Sequence, residues 1–172
     1  MACTIIEGRQ IDCRDSVGGV AEIYVCEYTN VQQAAIVASS GSITSMNTLP
    51  TKRFYTYQME KGNAQFDEKA VVSVENGTLY YEQTLTFDFK KNQASLRNDF
   101  HILAQSRLLF IVKDNNGLFR LMGQTVGADM GESTSSTGKA WGDKNGYTFT
   151  FTGMEPVPAN YVSQAIVTTL TA

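Results

Sequence analysis

The sequence predicts a mainly β fold, an antiparallel β-sandwich or barrel with one flanking α-helix. Asn-Gly pairs, which favour tight turns between paired strands, stand at residues 76–77, 116–117 and 145–146. Runs rich in Thr, Tyr, Phe and Val lie beside these pairs, and several of them alternate apolar with polar residues. One segment, residues 93–106, repeats its apolar side chains at helical spacing instead.

The length and composition are typical of one folded domain. The chain has 172 residues, 42% of them hydrophobic and 18% charged, so it can bury a core and is not intrinsically disordered. We expect a single β domain over residues 1–172, with an N-terminal arm at about 1–19 and an extended C-terminal segment at about 156–172. The low charge leaves two interpretations open: a surface covered by assembly, or a soluble surface rich in Ser and Thr.

The charge pattern argues against tight nucleic-acid binding. The net charge is −3 at pH 7, and no basic cluster exceeds a pair such as Lys52-Arg53. Proteins that grip phosphates need a basic face. The start MACTIIEGRQ also lacks the basic and apolar regions of a secretory signal, and no apolar run approaches the roughly 18 residues of a spanning helix. We therefore expect a protein made in a cytosol, with no membrane partner.

Three cysteines, Cys3, Cys13 and Cys26, lie near the N-terminus. In a cytosol they are expected as reduced thiols, and their spacing lacks the close pair of a typical zinc site. A metal site with His101 as a fourth ligand is disfavoured against burial of the cysteines as small hydrophobic side chains. The sequence therefore predicts no metal and no cofactor.

In the first half of the chain, residues 21–28 alternate in the manner of a strand. Gly18 and Gly19 before it predict a turn or an elbow, from which the arm can point away from the body. Residues 34–46 form either a weak strand pair that turns at Gly41 or a long excursion. Residues 54–59 predict a further strand.

The strongest predicted ribbon joins residues 66–74 to residues 78–90. Asn76 and Gly77 can adopt the positive φ values of a two-residue type I′ turn, so the flanking strands are expected to pair antiparallel. The second strand separates an apolar face (Leu79, Tyr81, Leu85, Phe87 and Phe89) from a polar face (Tyr80, Glu82, Thr84, Thr86 and Asp88).

The predicted helix at residues 93–106 has Asn92 as its N-cap. Leu96, Phe100 and Leu103 form one apolar stripe, which we expect to dock on a sheet. The elements expected after it are a central strand at residues 107–112, a hairpin partner at 118–123, a polar loop at 131–138 and a strand over residues 147–151.

No arrangement typical of catalysis is present in the sequence. His101 and Asp99 point to different sides of a helix, so the two cannot act as base and orienting group. The acids Asp67, Glu68, Asp114 and Asp143 could mimic a glycosidase pair, but acids beside Asn-Gly turns more often bond their own backbone. No phosphate-binding loop occurs. We therefore predict that the protein is not an enzyme.

The expected geometry favours self-assembly. Strand edges are templates for pairing that monomeric proteins block and assemblies use. Ribbons with one polar face, a Gly-jointed arm and long loops of small residues fit a subunit that joins copies of itself through such edges. Head-to-tail joining closes a ring, and rings can stack.

Four stretches carry a resemblance to a known family. They are GRQIDCRDSVGGV, ENGTLYYEQTLTF, RLLFIVKDNNGLFRLMG and GKAWGDKNGYTFTFTGMEPVPANYV, which together extend from residue 8 to residue 162. In these stretches the chain resembles tail structural proteins of tailed bacteriophages, particularly of phages that infect Bacteroidetes, and among them the major tail tube proteins. The shared motifs are structural rather than catalytic.

The resemblance implies two sheets with a flanking helix, assembled into hexameric rings that stack into a tail tube. Such a tube is part of the virion, is made in the bacterial host cytoplasm, and passes tape-measure protein and then DNA. The implied partners are copies of the chain itself, tape-measure protein, the tail terminator, baseplate or tip proteins, and a sheath protein if the tail is contractile.

The resemblance also suggests roles for individual residues. The ribbon around Asn76 resembles the strands that line such tubes, which places Glu82 and Asp88 toward the lumen. An acidic or neutral wall lets DNA slide because it does not attract phosphates. The arm and residues 36–52 would bridge subunits or rings, with Arg9, Asp15, Val17, Ile43 and Leu49 as candidate inter-subunit contacts.

Two alternatives remain open at this point. One is a head, neck or tail-completion structural protein, which stops at a single ring or stays monomeric. The other is a carbohydrate-binding β-sandwich with Trp141, Tyr147 and Tyr161 as stacking platforms. For Trp141, packing in the core or in an interface is preferred over the platform role.

Overall fold

The computed structural model describes residue 8 and residues 14–171 of the chain. In that part it has eleven β-strands and two α-helices, which confirms a mainly β fold. The strands are β1 (Val20–Glu27), β2 (Val37–Ser39), β3 (Ser42–Ser45), β4 (Tyr55–Gln58), β5 (Ala64–Ser73), β6 (Thr78–Lys90), β7 (Leu108–Asp114), β8 (Phe119–Met122), β9 (Ala128–Ser136), β10 (Gly146–Glu155) and β11 (Tyr161–Val162), and the helices are α1 (Leu96–Gln105) and α2 (Gln164–Thr171).

The strands form two layers that pack against each other as a sandwich. The front sheet has the order β5-β6-β10-β9, and each strand runs antiparallel to its neighbours. The back sheet has the order β4-β1-β7-β8-β11-β3-β2, in which β11 and β3 pair parallel. The two sheets join where Leu108 of β7 pairs with Ala128 of β9.

Apolar side chains from both sheets meet in a first core. Ring centroids of Phe110 in the back sheet and Phe151 in the front sheet lie 4.8 Å apart. Helix α1 closes this core through Phe100, whose ring centroid lies 4.7 Å from that of Phe149. Leu96 and Leu103 pack at the margin of the same cluster. The predicted docking of the helical stripe on a sheet is therefore confirmed.

A second core covers the other face of the back sheet. Tyr24 and Ile111 point to this side, whereas their sequence neighbours point to the first core. Helix α2 packs on the second core through Val167 and Leu170. Because both of its faces are covered, β7 is buried continuously over residues 108–112, which confirms that this apolar run is a central strand.

Strand β6 alternates as predicted. Leu85 and Phe87 are buried in the first core, and Thr84 and Thr86 lie on the opposite face. Gln83 is also buried, with 1% of its surface exposed, because its side chain bonds the N–H of Gly123 and the carboxylate of Glu68.

The predicted turns differ in their outcome. The β5–β6 connection is a four-residue loop, residues 74–77, in which Gly77 has a φ of 62° while Asn76 does not take a positive φ. The predicted two-residue type I′ turn is therefore wrong there. At the β7–β8 hairpin, Asp114 accepts hydrogen bonds from the backbone N–H groups of Asn116 and Leu118 at 2.9 and 2.8 Å, as predicted for a turn acid.

A two-residue turn with positive φ at both positions occurs elsewhere. Ser40 and Gly41, with φ values of 50° and 77°, join β2 to β3. Of the two alternatives for residues 34–46, the structure therefore has the short strand pair that turns at Gly41. The third Asn-Gly step is not a tight turn, because Gly146 already belongs to β10 and the connection from β9 spans residues 137–145.

Residues 131–138 are not mainly a loop as predicted. Most of them belong to β9, because pairing with β10 satisfies one side of their backbone and the small polar side chains of Ser and Thr tolerate the exposed face. The alternation signal is absent because β9 is exposed over Gly131–Ser136 on both faces.

The start of the predicted helix and the predicted C-terminal segment both differ from the structure. Helix α1 starts at Leu96 with Ser95 as its N-cap residue, whereas the Asn92 side chain donates to the backbone oxygen of Ser136 at 3.2 Å. The C-terminal segment is not extended throughout, because α2 forms where apolar residues of Gln164–Thr171 can bury against the second core. The fold therefore has a second helix, one more than predicted.

The end of the N-terminal arm is tied to the body. Asn116 accepts a hydrogen bond from the N–H of Val17 at 2.8 Å and donates one to its carbonyl oxygen at 2.7 Å. Asn115 donates to the carbonyl oxygen of Gly18 at 2.7 Å. Of the two predicted alternatives, the chain bends at Gly19, with a φ of 98°, and Val17 and Gly18 do not form a free elbow. Residues 1–7 and 9–13 of the arm lie outside the described residues.

Candidate functional site

The front sheet ends in a free strand edge at β5. The N–H of Asp88 donates to the carbonyl oxygen of Asn63 at 2.9 Å, and the register then continues without a shift along the β5–β6 pair. Odd-numbered residues of β5 therefore bond β6, and the backbone groups of the even-numbered residues, from Ala64 to Val72, point away from it. This side of β5 has no strand partner in the described chain.

The opposite border of the front sheet is β9. One side of this strand pairs with β10 over its whole length, with a bulge near Gly131, and the other meets β7 only at Ala128. The residues from Gly131 to Ser136 are exposed. Neither β5 nor β9 contains proline, so both borders retain backbone groups that can pair with another strand.

The strand directions make these two borders complementary. β5, β6, β10 and β9 alternate in direction, so β5 and β9 run opposite to each other. When a copy of the chain is related to the first by rotation about an axis parallel to the strands, its β5 therefore lies antiparallel to the first copy's β9. Head-to-tail joining along this sheet can extend the antiparallel pattern without a break.

The outward face of the front sheet is polar and rich in threonine. Thr84 and Thr86 of β6 lie opposite Thr152 and Thr150 of β10, and the hydroxyls of Thr86 and Thr150 are 3.3 Å apart. Glu132 of β9 lies on the same face, opposite Thr150. Hydroxyl groups are the commonest side-chain groups on this surface, and its charged residues have both signs, with Asp67, Glu82 and Glu132 beside Lys69.

Both predicted lumen residues lie on this outward face. Glu82 pairs in register with Lys69 and Met154. Nζ of Lys144 lies 2.7 Å from Oδ1 of Asp88. Burial alone would raise the pKa of Asp88, but the Lys144 and Thr148 side chains outweigh it, so this pKa lies below its ordinary value. The Asp88 carboxylate is thus ionised and largely balanced by a cation.

The predicted inter-subunit residues have different positions. Asp15, Val17 and Leu49 are exposed, and their proposed contacts remain predictions. Ile43 is buried in the second core, because β3 packs its apolar residue inward, so the expectation that it contacts a neighbouring subunit does not fit. Arg9 lies outside the described residues.

The hairpin between β5 and β6 protrudes beyond the rest of the front sheet. β10 ends at Glu155, opposite Tyr81, so the hairpin tip extends past it. Val72, Val74 and Leu79 are exposed at this tip, Val74 to 90%. Their exposure was not predicted, and the expectation that Leu79 belongs to the buried apolar face of β6 is wrong, because the hairpin tip extends past the strands that cover that face. A valine directly before a predicted turn was the available signal.

Trp141 is fully exposed, at 106% of its reference surface, in the loop between β9 and β10. Of the preferred interpretation, packing in the core is therefore wrong, and packing in an interface stays a prediction. Tyr147 packs in the first core against Phe100, and Tyr161 lies in the back sheet, where the Arg120 guanidinium carbon is 5.5 Å from its ring centroid. The suggested aromatic residues therefore occupy different environments.

The groups considered for chemistry are separated in the structure. His101 is exposed on α1, and Cys26 is buried in the second core. Burial raises the pKa of the Cys26 thiol to about 11. Cys3 and Cys13 lie outside the described residues. Within residues 14–171, no three His, Cys, Asp or Glu side chains group as metal ligands, and no helix is long and apolar enough to cross a membrane.

Comparison of the chain with protein-family models, with curated proteins and with solved structures finds no match.

Proposed function

We propose that this chain is the repeating subunit of a bacteriophage tail tube. The observation that carries the proposal is the antiparallel front sheet, whose borders at β5 and, beyond Ala128, at β9 have no strand partner among the described residues. An open sheet edge is a liability for a protein that works alone and an asset for one that polymerises. The resemblance of the sequence to major tail tube proteins supplies the biological setting.

In this proposal, copies join β9 to β5 around a ring. Six copies with four front-sheet strands each would close a barrel of about 24 strands, more than the 16 to 18 strands that already leave a water-filled channel. The first core occupies one face of the front sheet, so the threonine face would line the channel. The back sheet and its second core would form the outer wall.

The lining suits passage of DNA without binding. Threonine hydroxyls present no net charge, Asp67 and Glu132 repel phosphates, and the cations Lys69 and Lys144 lie beside Glu82 and Asp88. A basic lining would instead hold DNA by releasing its counterions. The proposed location is the virion tail, with assembly in the bacterial host cytoplasm. The proposed partners are tape-measure protein, the tail terminator, baseplate or tip proteins, and a sheath if the tail is contractile.

Replacing Ala70 with proline tests the edge directly. Ala70 is an even-numbered residue of β5, so its N–H points away from β6, and proline would remove that donor without breaking the β5–β6 ladder. We expect the wild-type protein to form long hollow rods when concentrated, and Ala70→Pro to stay in small species. Sedimentation velocity and negative-stain electron microscopy measure both.

Ala70→Val is the matched control, because it keeps the N–H and adds a side chain that favours strands. It is expected to form rods like the wild type, while circular dichroism should show that both variants are folded. Rods of normal length from Ala70→Pro would contradict edge joining. A wild-type protein that remains a compact monomer at high concentration would contradict the proposed function itself.

The lumen assignment predicts a gain of DNA binding in a charge-reversed tube. Glu82→Lys with Glu132→Lys places two cations per subunit on the threonine face and leaves the Asp88–Lys144 pair intact. We expect rods of normal length that retain duplex DNA at low salt and release it at high salt. The logarithm of the binding constant should fall with the logarithm of the salt concentration by about 0.9 per phosphate contacted. Co-sedimentation of DNA with rods measures this.

The control for this variant is Glu82→Gln with Glu132→Gln, which removes negative charge without adding cations. It should bind little DNA. If the lysine variant retains no more DNA than the glutamine variant, the threonine face does not line the channel.

Two alternatives predict other outcomes in the same experiments. A head, neck or tail-completion protein would stop at one ring. A carbohydrate-binding sandwich would remain monomeric and bind glycans, and the exposed Trp141 is the observation that favours it. Glycan-array binding by a monomeric wild-type protein would support that second alternative.

A further inference from the structure

The position of Trp141 suggests how rings would be held together. We infer that Trp141 of one copy inserts into a groove between α1 and β4 of a copy in the next ring. This inference rests on the proposed tube and specifies its stacking contact. The occupant is thus a second copy of this chain, and the loop that carries Trp141 serves as the knob.

The loop that presents Trp141 is held in shape by its own hydrogen bonds. The carboxylate of Asp143 accepts from the backbone N–H groups of Lys139 and Ala140 at 2.8 and 2.7 Å. These two bonds, Ala140 first, lower the pKa of Asp143, so the carboxylate is ionised at neutral pH. Gly138, with a φ of 70°, allows the chain to approach Asp143 closely. A preorganised loop with an exposed indole loses little entropy on docking.

The groove lies where the end of β1, the start of β4 and the second half of α1 meet. It encloses about 360 Å³, within the roughly 300–1,000 Å³ of sites that hold a small ligand. Its lining includes the exposed side chains of Tyr55 and Ile102, with Leu103 beside them. The groove therefore offers apolar surface that is open to solvent in the isolated chain.

The electrostatic features of loop and groove are complementary. Lys52 and Arg53 line the groove, and the Arg53 guanidinium carbon lies 5.7 Å from the ring centroid of Tyr55. An indole seated beside Tyr55 would present its π face to these cations. The groove also contains the carboxylates of Glu27 and Asp99, and Lys139 lies two residues before Trp141.

Loop and groove lie at opposite ends of the subunit along the strand direction. The loop follows Ser136, whereas the groove includes Leu108, which pairs with Ala128 at the other end of β9. β9 spans about 26 Å between these ends, at about 3.3 Å per residue. A knob at one end and a groove at the other define a head-to-tail contact, which repeats without limit when rings stack along the strand direction.

The inference can be tested by fluorescence, because Trp141 is the sole tryptophan of the chain. In dilute protein its emission should be that of an indole in water and be quenched freely by acrylamide. On rod formation we expect the Trp141 emission to shift to shorter wavelength and its quenching by acrylamide to be lost. Both changes should occur over the same range of protein concentration in which sedimentation detects rods. Rods in which Trp141 stays fully quenchable would overturn the inference and leave the proposed tube standing.

Two variants and one control locate the contact. The Trp141→Ala and Ile102→Glu variants are expected to fold and to form rings. These rings should stack only at a protein concentration at least about thirty-fold higher, which corresponds to the loss of an interface residue worth about 2 kcal/mol. His101→Glu adds the same charge at the neighbouring helix position, outside the groove, and should stack normally. Stacking that is lost equally in His101→Glu would overturn the groove assignment.

The remaining outcomes are also decisive. If Trp141→Ala prevents ring formation as well as stacking, the indole acts within a ring and the inference is wrong. If the wild-type monomer shows the emission shift when oligosaccharide is added, Trp141 is a carbohydrate platform instead. If the wild type forms neither rings nor rods, the proposed function fails, and this inference fails with it.

Discussion

Replacing Phe151 with alanine is expected to lower the free energy of unfolding by about 3–5 kcal/mol, because it leaves a cavity at the centre of the first core. The side chain is fully buried, and its ring centroid lies 4.8 Å from that of Phe110 and 5.8 Å from that of Phe87. It therefore holds the two sheets together. Since a domain is stable by about 5–15 kcal/mol, this loss is a large fraction of the total. Equilibrium unfolding in urea measures it.

Thr152→Ala is the matched control for this prediction. Thr152 lies next to Phe151 on β10 but points to the opposite, outward face. Its replacement should cost less than about 1 kcal/mol, as expected for strand propensity at a partly exposed position. Equal losses in the two variants would indicate that strand propensity, rather than core packing, dominates the stability of β10.

Replacing Glu155 with alanine is expected to cost about 3 kcal/mol or more, although Glu155 is a charged residue. Its carboxylate is buried, with 1% of the residue exposed, and accepts hydrogen bonds from the N–H groups of Thr125 and Val126 at 2.8–3.0 Å. Alanine would leave both donors in the loop between β8 and β9 without a partner, at about 1–3 kcal/mol each, and would remove charge-assisted bonds. Urea unfolding with an unchanged m-value is the measurement.

Glu155→Gln separates hydrogen bonding from loss of volume. Glutamine retains the shape and one acceptor oxygen, but its amide nitrogen is a donor and cannot accept from the loop N–H groups. Its cost should therefore fall between those of wild type and alanine. If glutamine and alanine cost the same, the second acceptor oxygen, which glutamine lacks, is essential for holding the loop. If neither variant is destabilised, the loop bonds to Glu155 contribute nothing measurable.

Glu155 also bears on the proposed assembly. The loop it holds leads directly into Ala128, the residue that joins the front sheet to the back sheet. Loosening this loop would let the start of β9 move, and β9 is one of the two free borders. We therefore expect Glu155→Ala to form rods less readily than its loss of stability alone would suggest, because the position of an edge matters for pairing.

Much of the sandwich could be predicted from local patterns. The alternation of Leu85 and Phe87 with Thr84 and Thr86 predicted which face of β6 is buried, because successive strand residues point to opposite sides. The unbroken apolar run in β7 predicted a strand covered on both faces. These patterns are visible in a sequence because the polarity of successive residues in a strand follows which of its faces are covered by a core.

Other features could not be predicted because they depend on distant partners. α2 has no strong helix signal, and it is helical where Val167 and Leu170 find the second core. β9 has no alternation, and it is a strand because β10 pairs with it. The exposure of Trp141 follows from the position of its loop outside both cores. None of these residues carries a local pattern that reports its surroundings.

By itself, the sequence determined the fold class, the buried face of the main ribbon and the central strand, since short-range periodicity records which side chains leave water. The tertiary structure alone decided that β5, and β9 beyond Ala128, border the front sheet without a strand partner in the described part of the chain, that Ile43 lies in a core and that Trp141 lies in solvent. The physical reason is that a strand edge or an exposed ring is defined by what fails to pack beside it, and that depends on the arrangement of every other element.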